Sequence, residues 1–184
     1  MTKIHQIVKK SSIMALVAMI AVSPILAVPK IDAKSGNPAE TMKQIRKRLV
    51  TLPYYGVFDN LAYKYEDGVV TLSGQVVRPT TKSDAARSVE RVAGVDQVIN
   101  QIEVLPLSSF DDQIRIATYR AVYRQPGLDR LAYQAVPPIH IVVKRGHVTL
   151  EGVAPTQADA ARAYIAARGV SNVFSVTNHL RTER

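Results

Sequence analysis

The sequence predicts an α+β fold made of two tandem small αββαβ modules that follow an N-terminal signal peptide. Two observations lead to this prediction. Two long stretches of the chain repeat the same short motifs in the same order, and the chain begins with a basic and then apolar segment. We place the signal peptide at residues 1–27, the first module at 39–105 and the second module at 111–181.

The amino-terminal segment has the layout of a secretory signal. Three lysines stand within the first ten residues, and residues 11–28 carry no charge. The apolar run at residues 13–22 has the length of a signal-peptide core, and Ala27 suits the last position before cleavage. An uncleaved membrane anchor is the alternative reading of this segment. Both readings favour a periplasmic or otherwise extracytoplasmic location, because the lysine-rich end stays inside.

The composition limits the kinds of partner and site. The chain of 184 residues has a net charge of +9, and loss of the three lysines with residues 1–27 would lower that charge to +6. A basic protein favours anionic partners such as acidic lipid, acidic polymer or nucleic acid. The chain has no cysteine, which excludes disulfides, thiolate metal sites, a cysteine nucleophile and lipoprotein acylation.

The internal repeat is carried by several matched blocks. GVVTLSG and GHVTLEG are separated by 78 residues, while two DAAR blocks and two Gly-Val pairs are separated by 75 residues. Matched blocks in one order indicate a duplication, which has to be recognised before a fold is assigned. The blocks start at Gly68, Asp84 and Gly94 in the first copy and at Gly146, Asp159 and Gly169 in the second copy.

Each copy contains a predicted β-hairpin. Apolar and aromatic residues alternate along its two strands, and the turns are Asp-Gly at residues 67–68 and Arg-Gly at residues 145–146. Asp-Gly is favoured there because a tight hairpin turn needs positive φ. Gly74 and Gly152 lie toward the end of the second strand, where a glycine indicates a bulge or a close approach of another backbone.

Helices flank each hairpin. A basic helix is predicted before it, at about residues 40–52 and 112–124, and a second helix and a last strand are predicted after it. The second helices have two kinds of boundary signal. These are capping-box spacings at Thr81–Asp84 and Thr156–Asp159, and glycines placed for left-handed C-terminal caps at Gly94 and Gly169.

The repeated motifs G-x-V-T-L-x-G, D-A-A-R and G-V-x-x-V, in this order of elements, resemble the BON domain of secreted bacterial proteins. The residues that carry the resemblance outside the shared D-A-A-R blocks are Gly68, Val70, Thr71, Leu72, Gly74, Gly94, Val95 and Val98, and then Gly146, Val148, Thr149, Leu150, Gly152, Gly169, Val170 and Val173. The second copy departs from the first by an insertion that ends in Pro137-Pro138 and by His147 in place of Val69.

The resemblance implies a location and a general role. Members of this family are typically periplasmic or membrane-associated and are linked to osmotic stress protection and envelope integrity, and phospholipid binding has been proposed as their shared activity. The matched residues are mostly turn glycines and core valines, so they identify the fold rather than a site.

No catalytic or metal-binding constellation is evident. His140 and His147 flank one hairpin and could approach each other, but two nitrogens without a third ligand make a weak metal site. No serine has the surroundings of a nucleophile elbow. We therefore expect no catalytic residue, no metal and no cofactor, and we interpret the protein as a non-enzymatic one.

Basic and aromatic residues on the first helix of each module are the candidate lipid-binding site. Tyrosine beside lysine or arginine suits a phospholipid headgroup zone, where the ring is half buried and the cation meets phosphate. The alternative is that these tyrosines pack on the sheet while the arginines are solvated. The candidates are Lys43, Arg46, Lys47, Tyr54 and Tyr55 in the first module and Arg115, Tyr119, Arg120, Tyr123 and Arg124 in the second.

The expected partner is therefore an anionic phospholipid membrane surface. A second hypothesis is a protein-interaction or scaffolding module, in which the sheet or its edge meets another envelope protein. Nucleic acid is not expected, because the sequence has no RNP-like aromatic motif and export would separate the protein from DNA and RNA.

Overall fold

The computed structural model describes residues 37–182, and the predicted signal segment lies outside them. The first module consists of α1 (Pro38–Val50), β1 (Asn60–Glu66), β2 (Val69–Val76), α2 (Pro79–Glu90), β3 (Gln97–Asn100) and β4 (Glu103–Val104). The second module consists of α3 (Ser109–Tyr123), a short 3-10 helix (Asp129–Tyr133), β5 (Ile139–Lys144), β6 (His147–Ala154), α4 (Gln157–Arg168), β7 (Ser175–Asn178) and β8 (Arg181–Thr182). The predicted α+β class with two αββαβ modules is confirmed, with each last strand divided in two. Within the described residues, no helix is both long and apolar enough to cross a bilayer.

Each module has one small mixed sheet. In the first, β2 is central, pairing antiparallel with β1 and parallel with both β3 and β4. In the second, β6 has the same position between β5 on one side and β7 and β8 on the other. The parallel pairs require a crossover between the strands, which α2 and α4 supply.

The hairpin turns have the backbone conformation that the sequence predicts. Both turn residues have positive φ in each module: 45° and 84° at Asp67 and Gly68, and 53° and 79° at Arg145 and Gly146. Two successive residues of positive φ are typical of a type I′ turn, whose twist matches that of the flanking strands.

Gly74 and Gly152 mark a close approach of two backbones. A Cβ atom at Gly74 would lie 2.1 Å from the carbonyl oxygen of Asn60, and one at Gly152 would lie 2.1 Å from that of Pro138. The β1–β2 register passes through Gly74 without interruption, so this position is a close approach and not a bulge. Both glycines lie inside the strand, two residues before its end.

The helices cover one face of each sheet, and each module has its own core. In the first, Ile45 and Leu49 of α1 and Val89 of α2 pack against Val70 and Leu72 of β2. The second core has the same arrangement and contains Ile114, Val122, Ile141, Val143, Val148, Leu150, Ala163 and Ala167. Alternate residues of the central strands therefore point into the helix layer, and those between them point to the opposite face.

From the second strand onward, each element of the second module begins 78 positions after its counterpart: β2 at Val69 and β6 at His147, α2 at Pro79 and α4 at Gln157. The DAAR blocks, which are 75 residues apart, are therefore displaced by three residues from structural equivalence. Three residues are close to one helical turn, so the displaced match still places apolar side chains on the same face.

This three-residue displacement explains why some of the predicted helix caps are wrong. Thr156 accepts a hydrogen bond from the Asp159 N–H at 3.1 Å and caps α4 as predicted. In the first module, α2 already begins at Pro79, a residue suited to the first helical position, so Thr81 is buried inside the helix and does not cap it. The left-handed prediction for Gly169 is wrong, because its φ is −78° and the left-handed residue there is Asn172.

The two modules contact each other along a seam formed mainly by the α1–β1 loop and β5. The Ile141 N–H of β5 donates to the Val57 carbonyl oxygen at 2.8 Å. Phe58 stacks edge-on against Tyr119 of α3 with ring centroids 6.2 Å apart. Since Val57 and Phe58 pack against the core of the second module, the loop of the first module completes that core.

Candidate functional site

The solvent face of α1 combines basic and apolar side chains. Lys43, Arg46 and Lys47 are exposed, as predicted for headgroup contacts, and Met42 and Val50 share their side of the helix with exposed fractions of 40% and 47%. These residues recur at intervals of three and four, which places them on one face. Lys43 makes only an exposed ion pair with Glu40, at 3.9 Å.

The solvent face of α3 has a similar composition. Phe110 and Ile116 are 40% and 46% exposed, and Arg120 and Arg124 are exposed in the last turn and at the C-cap. Their spacing places all four on one side of the helix. Within the described part of the chain, neither arginine forms an ion pair, so both charges face solvent. We call these four residues the α3 face.

A groove of about 320 Å³ borders the α3 face. It is formed by α3 and the turn between α4 and β7, and its walls are partly apolar and partly amide and hydroxyl side chains. The lining residues are Phe110, Gln113, Ile114, Ala117, Val170, Ser171 and Asn172.

Two of the predicted lipid-binding residues are buried. Arg115 is only 3% exposed; its guanidinium donates to the Val143 carbonyl oxygen at 2.8 Å and pairs with Asp112. Tyr123 is 5% exposed, and its hydroxyl donates to the Ile139 carbonyl oxygen at 2.7 Å. Both side chains fix α3 to β5, so neither is available to a headgroup in this structure.

The other predicted tyrosines are divided between packing and exposure. Tyr119 is half-buried, with its ring centroid 4.8 Å from that of Tyr123. Tyr55 is half-buried at the seam, 5.6 Å from the His140 ring, and burial raises its pKa to about 12. Tyr54 is 68% exposed, and the guanidinium of Arg78 lies 4.7 Å from its ring centroid.

Two further titratable groups lie at the seam. Asp59 is 4% exposed and accepts hydrogen bonds from the Val77 N–H at 2.7 Å and the Gly56 N–H at 3.0 Å; burial nevertheless raises its pKa. His140 is half-buried, and burial lowers its pKa because the protonated ring loses hydration. Its Nδ1 atom is buried and has no hydrogen-bond partner in the described structure.

The expectation that His140 and His147 approach each other is wrong. The β5–β6 register pairs His140 with Glu151 and His147 with Lys144, which places the two histidines at opposite ends of the hairpin. The Nδ1 atom of His147 instead lies 2.7 Å from the Ser175 hydroxyl.

The exposed apolar residues of the first helices were missed by the sequence analysis, which searched for tyrosines beside basic residues. The signal that could have found them is their helical spacing. Ile116, Arg120 and Arg124 follow one another at intervals of four, and Phe110 falls on the same side of α3, beside the buried stripe that contains Ile114 and Val122.

Comparison with known proteins identifies the modules. The profile of the BON domain family matches residues 42–106 and 128–184. No curated protein matches the chain. Among solved structures, the chain is similar to the C-terminal domain of CdsD, the structural protein of the Type III secretion system of Chlamydia trachomatis, with 10% identity and a TM-score of 0.29, covering 81% of this chain and 100% of that chain. A second structure of CdsD gives 12% identity and a TM-score of 0.29, covering 77% of this chain and 91% of that chain.

At such identities and TM-scores, the likeness to CdsD says nothing about activity. The family profile, in contrast, covers more than half of the chain in two separate regions that contain the two sheets. The chain therefore belongs to the BON domain family, with two copies of the domain in tandem.

Proposed function

We propose that this protein is a non-enzymatic protein of the cell envelope that binds anionic phospholipid at the membrane surface and supports envelope integrity or osmotic stress tolerance. One observation carries the proposal: the exposed faces of α1 and α3 each combine cations with exposed apolar side chains. The membership in the BON family and the signal-like amino terminus, at which we propose cleavage near residue 27, agree with it.

We assign the primary attachment to the α3 face. A helix lying in the headgroup zone buries its apolar side chains at the acyl boundary and places its cations beside phosphates. Phe110 and Ile116 supply the apolar part, and Arg120 and Arg124 supply the charge. Helix α1 adds a weaker electrostatic attraction through Lys43, Arg46 and Lys47, and Tyr54 follows the helix. This attraction is weaker because α1 itself has no exposed aromatic residue.

The test is vesicle binding by residues 28–184, which contain every element that the structure describes. The Arg120→Glu/Arg124→Glu variant is expected to bind vesicles of phosphatidylcholine and phosphatidylglycerol at least about 30-fold more weakly, since each arginine near an anionic surface contributes about 1 kcal/mol. Phe110→Ser/Ile116→Ser is expected to weaken binding at high salt as well, because its effect does not depend on charge.

Arg87→Glu/Arg91→Glu is the matched control. These arginines occupy the last turn and the C-cap of α2, the same places that Arg120 and Arg124 occupy in α3. The change in net charge is identical, so a long-range effect of charge would weaken both double variants equally. Equal binding by the two variants would remove the assignment to α3.

A second candidate function is a scaffolding module that binds another envelope protein. It is favoured by β3 and β7, which within residues 37–182 pair with a strand on one side only, and by Ile99 in β3 and Phe174 just before β7, which are 39% and 67% exposed. An exposed strand edge is a ready template for strand addition. Binding to a purified envelope protein without any vesicle affinity would favour this function.

A further inference from the structure

A second groove, of about 420 Å³, lies between the two modules on the faces of the sheets that the helices leave uncovered. Its first-module side is formed by β2, β4 and the residue after β4, and its second-module side by β5, β6 and their turn. The lining residues are Gln75, Glu103 and Leu105 on the first side and Val142, Lys144, Arg145, His147 and Thr149 on the second.

The groove has an apolar floor and a basic rim. Leu105 and Val142 are 3% and 5% exposed, although Val142 points away from the core of its own module. Lys144 bonds to Glu103 across the groove at 2.5 Å, so the single carboxylate of the lining is already paired. Arg145 forms no ion pair within residues 37–182, so the lining side chains carry a net positive charge, while the buried Asp111 carboxylate accepts the Arg145 and Gly146 N–H groups from behind the turn.

The charge of this turn is not required by the hairpin. At the equivalent turn of the first module, the chain carries Glu66 and Asp67, which are acidic, in place of Lys144 and Arg145. The same turn conformation is therefore compatible with either sign of charge, and the two copies have diverged to opposite signs.

Arg145 occupies a backbone conformation that arginine rarely adopts. Its φ is 53°, in the left-handed region that asparagine, aspartate and glycine favour. The first copy has aspartate at this position, with a φ of 45°. The type I′ turn sets this conformation in both copies, so it is the choice of arginine over aspartate that motivates a functional hypothesis.

We propose that this groove binds the phosphate of an anionic phospholipid headgroup, with Arg145 and Lys144 pairing the phosphate and Leu105 and Val142 contacting the glycerol carbons. The choice of a lipid phosphate rests on the proposed function, but the groove contains no residue of the α3 face. Glu103 competes with the ligand for Lys144, so headgroup binding exchanges an ion pair between the modules for one with the lipid.

The experiment uses residues 28–184 labelled with ¹⁵N and titrated with monomeric dihexanoyl-phosphatidylglycerol below its micelle concentration, and separately with inorganic phosphate at the same pH and ionic strength. Saturable amide shifts are expected at residues 144–149 and 103–105, with tighter binding of the lipid because only the lipid contacts the apolar floor. Equal or tighter binding of inorganic phosphate would overturn the lipid assignment, and the absence of saturable shifts at these residues would overturn the site.

Three variants test the roles of Arg145 and Glu103 in binding the lipid. Arg145→Asn keeps the left-handed turn, because asparagine tolerates it, and is expected to lose about tenfold or more in affinity for the monomeric lipid. Arg91→Asn, the matched control on α2, is expected to bind as the wild type does. Glu103→Gln is expected to bind more tightly, since it releases Lys144. Weaker binding by Glu103→Gln would contradict the proposed competition.

The proposal for the groove and the proposal for the α3 face can be refuted independently of each other. Arg120→Glu/Arg124→Glu is expected to keep its affinity for the monomeric lipid while losing vesicle binding. If that variant lost both, the groove would not be a distinct site. If the monomeric lipid did not bind but vesicle binding still depended on the α3 face, the proposed function would stand without the groove.

Discussion

At the residue scale, Asp59 is the clearest case of a polar side chain that holds the backbone. It is buried immediately before β1, and its two carboxylate oxygens accept the N–H groups of Gly56 and Val77. One bond closes the loop that leads to β1, and the other fixes the chain just after β2. The side chain therefore connects both ends of the hairpin of the first module.

Asp59→Ala is expected to lower the free energy of unfolding by about 2 kcal/mol, because two partly buried N–H groups lose a charged acceptor. Urea unfolding measures this change. Asp84→Ala is the matched control, since Asp84 pairs only with the exposed Arg87 and is expected to change stability by no more than about 0.5 kcal/mol. Equal losses in the two variants would contradict the role given to Asp59.

Residue-scale roles on α3 were only partly predictable. The sequence shows that Tyr119 and Tyr123 are four apart and share a side of the helix with Arg115. It does not show that this side faces β5, because tyrosine and arginine suit both a packed surface and a wet one. The burial of Arg115 depends on the Val143 carbonyl oxygen, which is 28 positions away in the chain.

At the element scale, the central strands β2 and β6 are positioned by glycines. The preceding segment passes so close to Gly74 that the carbonyl oxygen of Asn60 occupies the place of a side chain. Gly74 has a φ of 111° and Gly152 a φ of 105°, which an L-residue with a Cβ rarely adopts. The same close approach recurs at Gly152, which occupies the equivalent position in β6.

Gly74→Ala is expected to lower the free energy of unfolding by at least about 2 kcal/mol, through backbone strain and displacement of the Asn60 backbone. Gly56→Ala tests the same substitution where a Cβ would meet nothing within 4 Å. Its effect is expected to stay within about 0.5 kcal/mol. Thermal or urea unfolding of the two variants checks the difference, and a Gly74→Ala protein as stable as Gly56→Ala would refute it.

Secondary-structure elements were predictable where the conformational preferences of neighbouring residues alone determine them. The Asp67-Gly68 turn and the alternation along β1 and β2 follow from positive φ and from the two-residue period of a strand. The start of α2 was not predicted, because Thr81 has capping-box spacing while Pro79 begins the helix one turn earlier. Competing local signals of this kind are decided by which side chains the core accepts, as the burial of Thr81 shows.

At the scale of the whole molecule, the seam joins two domains with separate cores. His140 is one of the titratable groups at this seam. Tyr55 and Asp59 face His140 from the α1–β1 loop, Glu151 faces it from β6, and Arg78 and His179 interact with Asp59 and Glu151 respectively. Burial outweighs these carboxylates and lowers the pKa of His140.

Stability is therefore expected to fall in mildly acidic solution. The folded pKa of His140 lies below its ordinary value of 6.5, so the unfolded chain binds the proton more readily and stability decreases as the pH drops below about 6.5. Urea unfolding at about pH 7.5 and about pH 5.5 measures the decrease. His140→Gln is expected to show a smaller decrease; an identical one would exclude His140 as its source. The raised pKa of Asp59 acts in the opposite direction and is present in both proteins.

The two-module organisation was predictable because duplication leaves matched blocks in the sequence. The seam was not, since it depends on residues that the two copies do not share. Val57 and Phe58 have no equivalent role in the second module, where a 3-10 helix and Pro137-Pro138 precede β5. Neither groove was predictable from the sequence, because one lies between the two modules and the other lies beside the α4–β7 turn.

The proposed attachment to an anionic membrane surface is tested by sedimentation of residues 28–184 with vesicles. Phosphatidylcholine vesicles with and without phosphatidylglycerol are compared at low and high salt. We expect binding only when phosphatidylglycerol is present, and weaker binding at high salt because exposed charges are screened. Binding that ignores lipid charge and salt, or no binding to either vesicle, would contradict it.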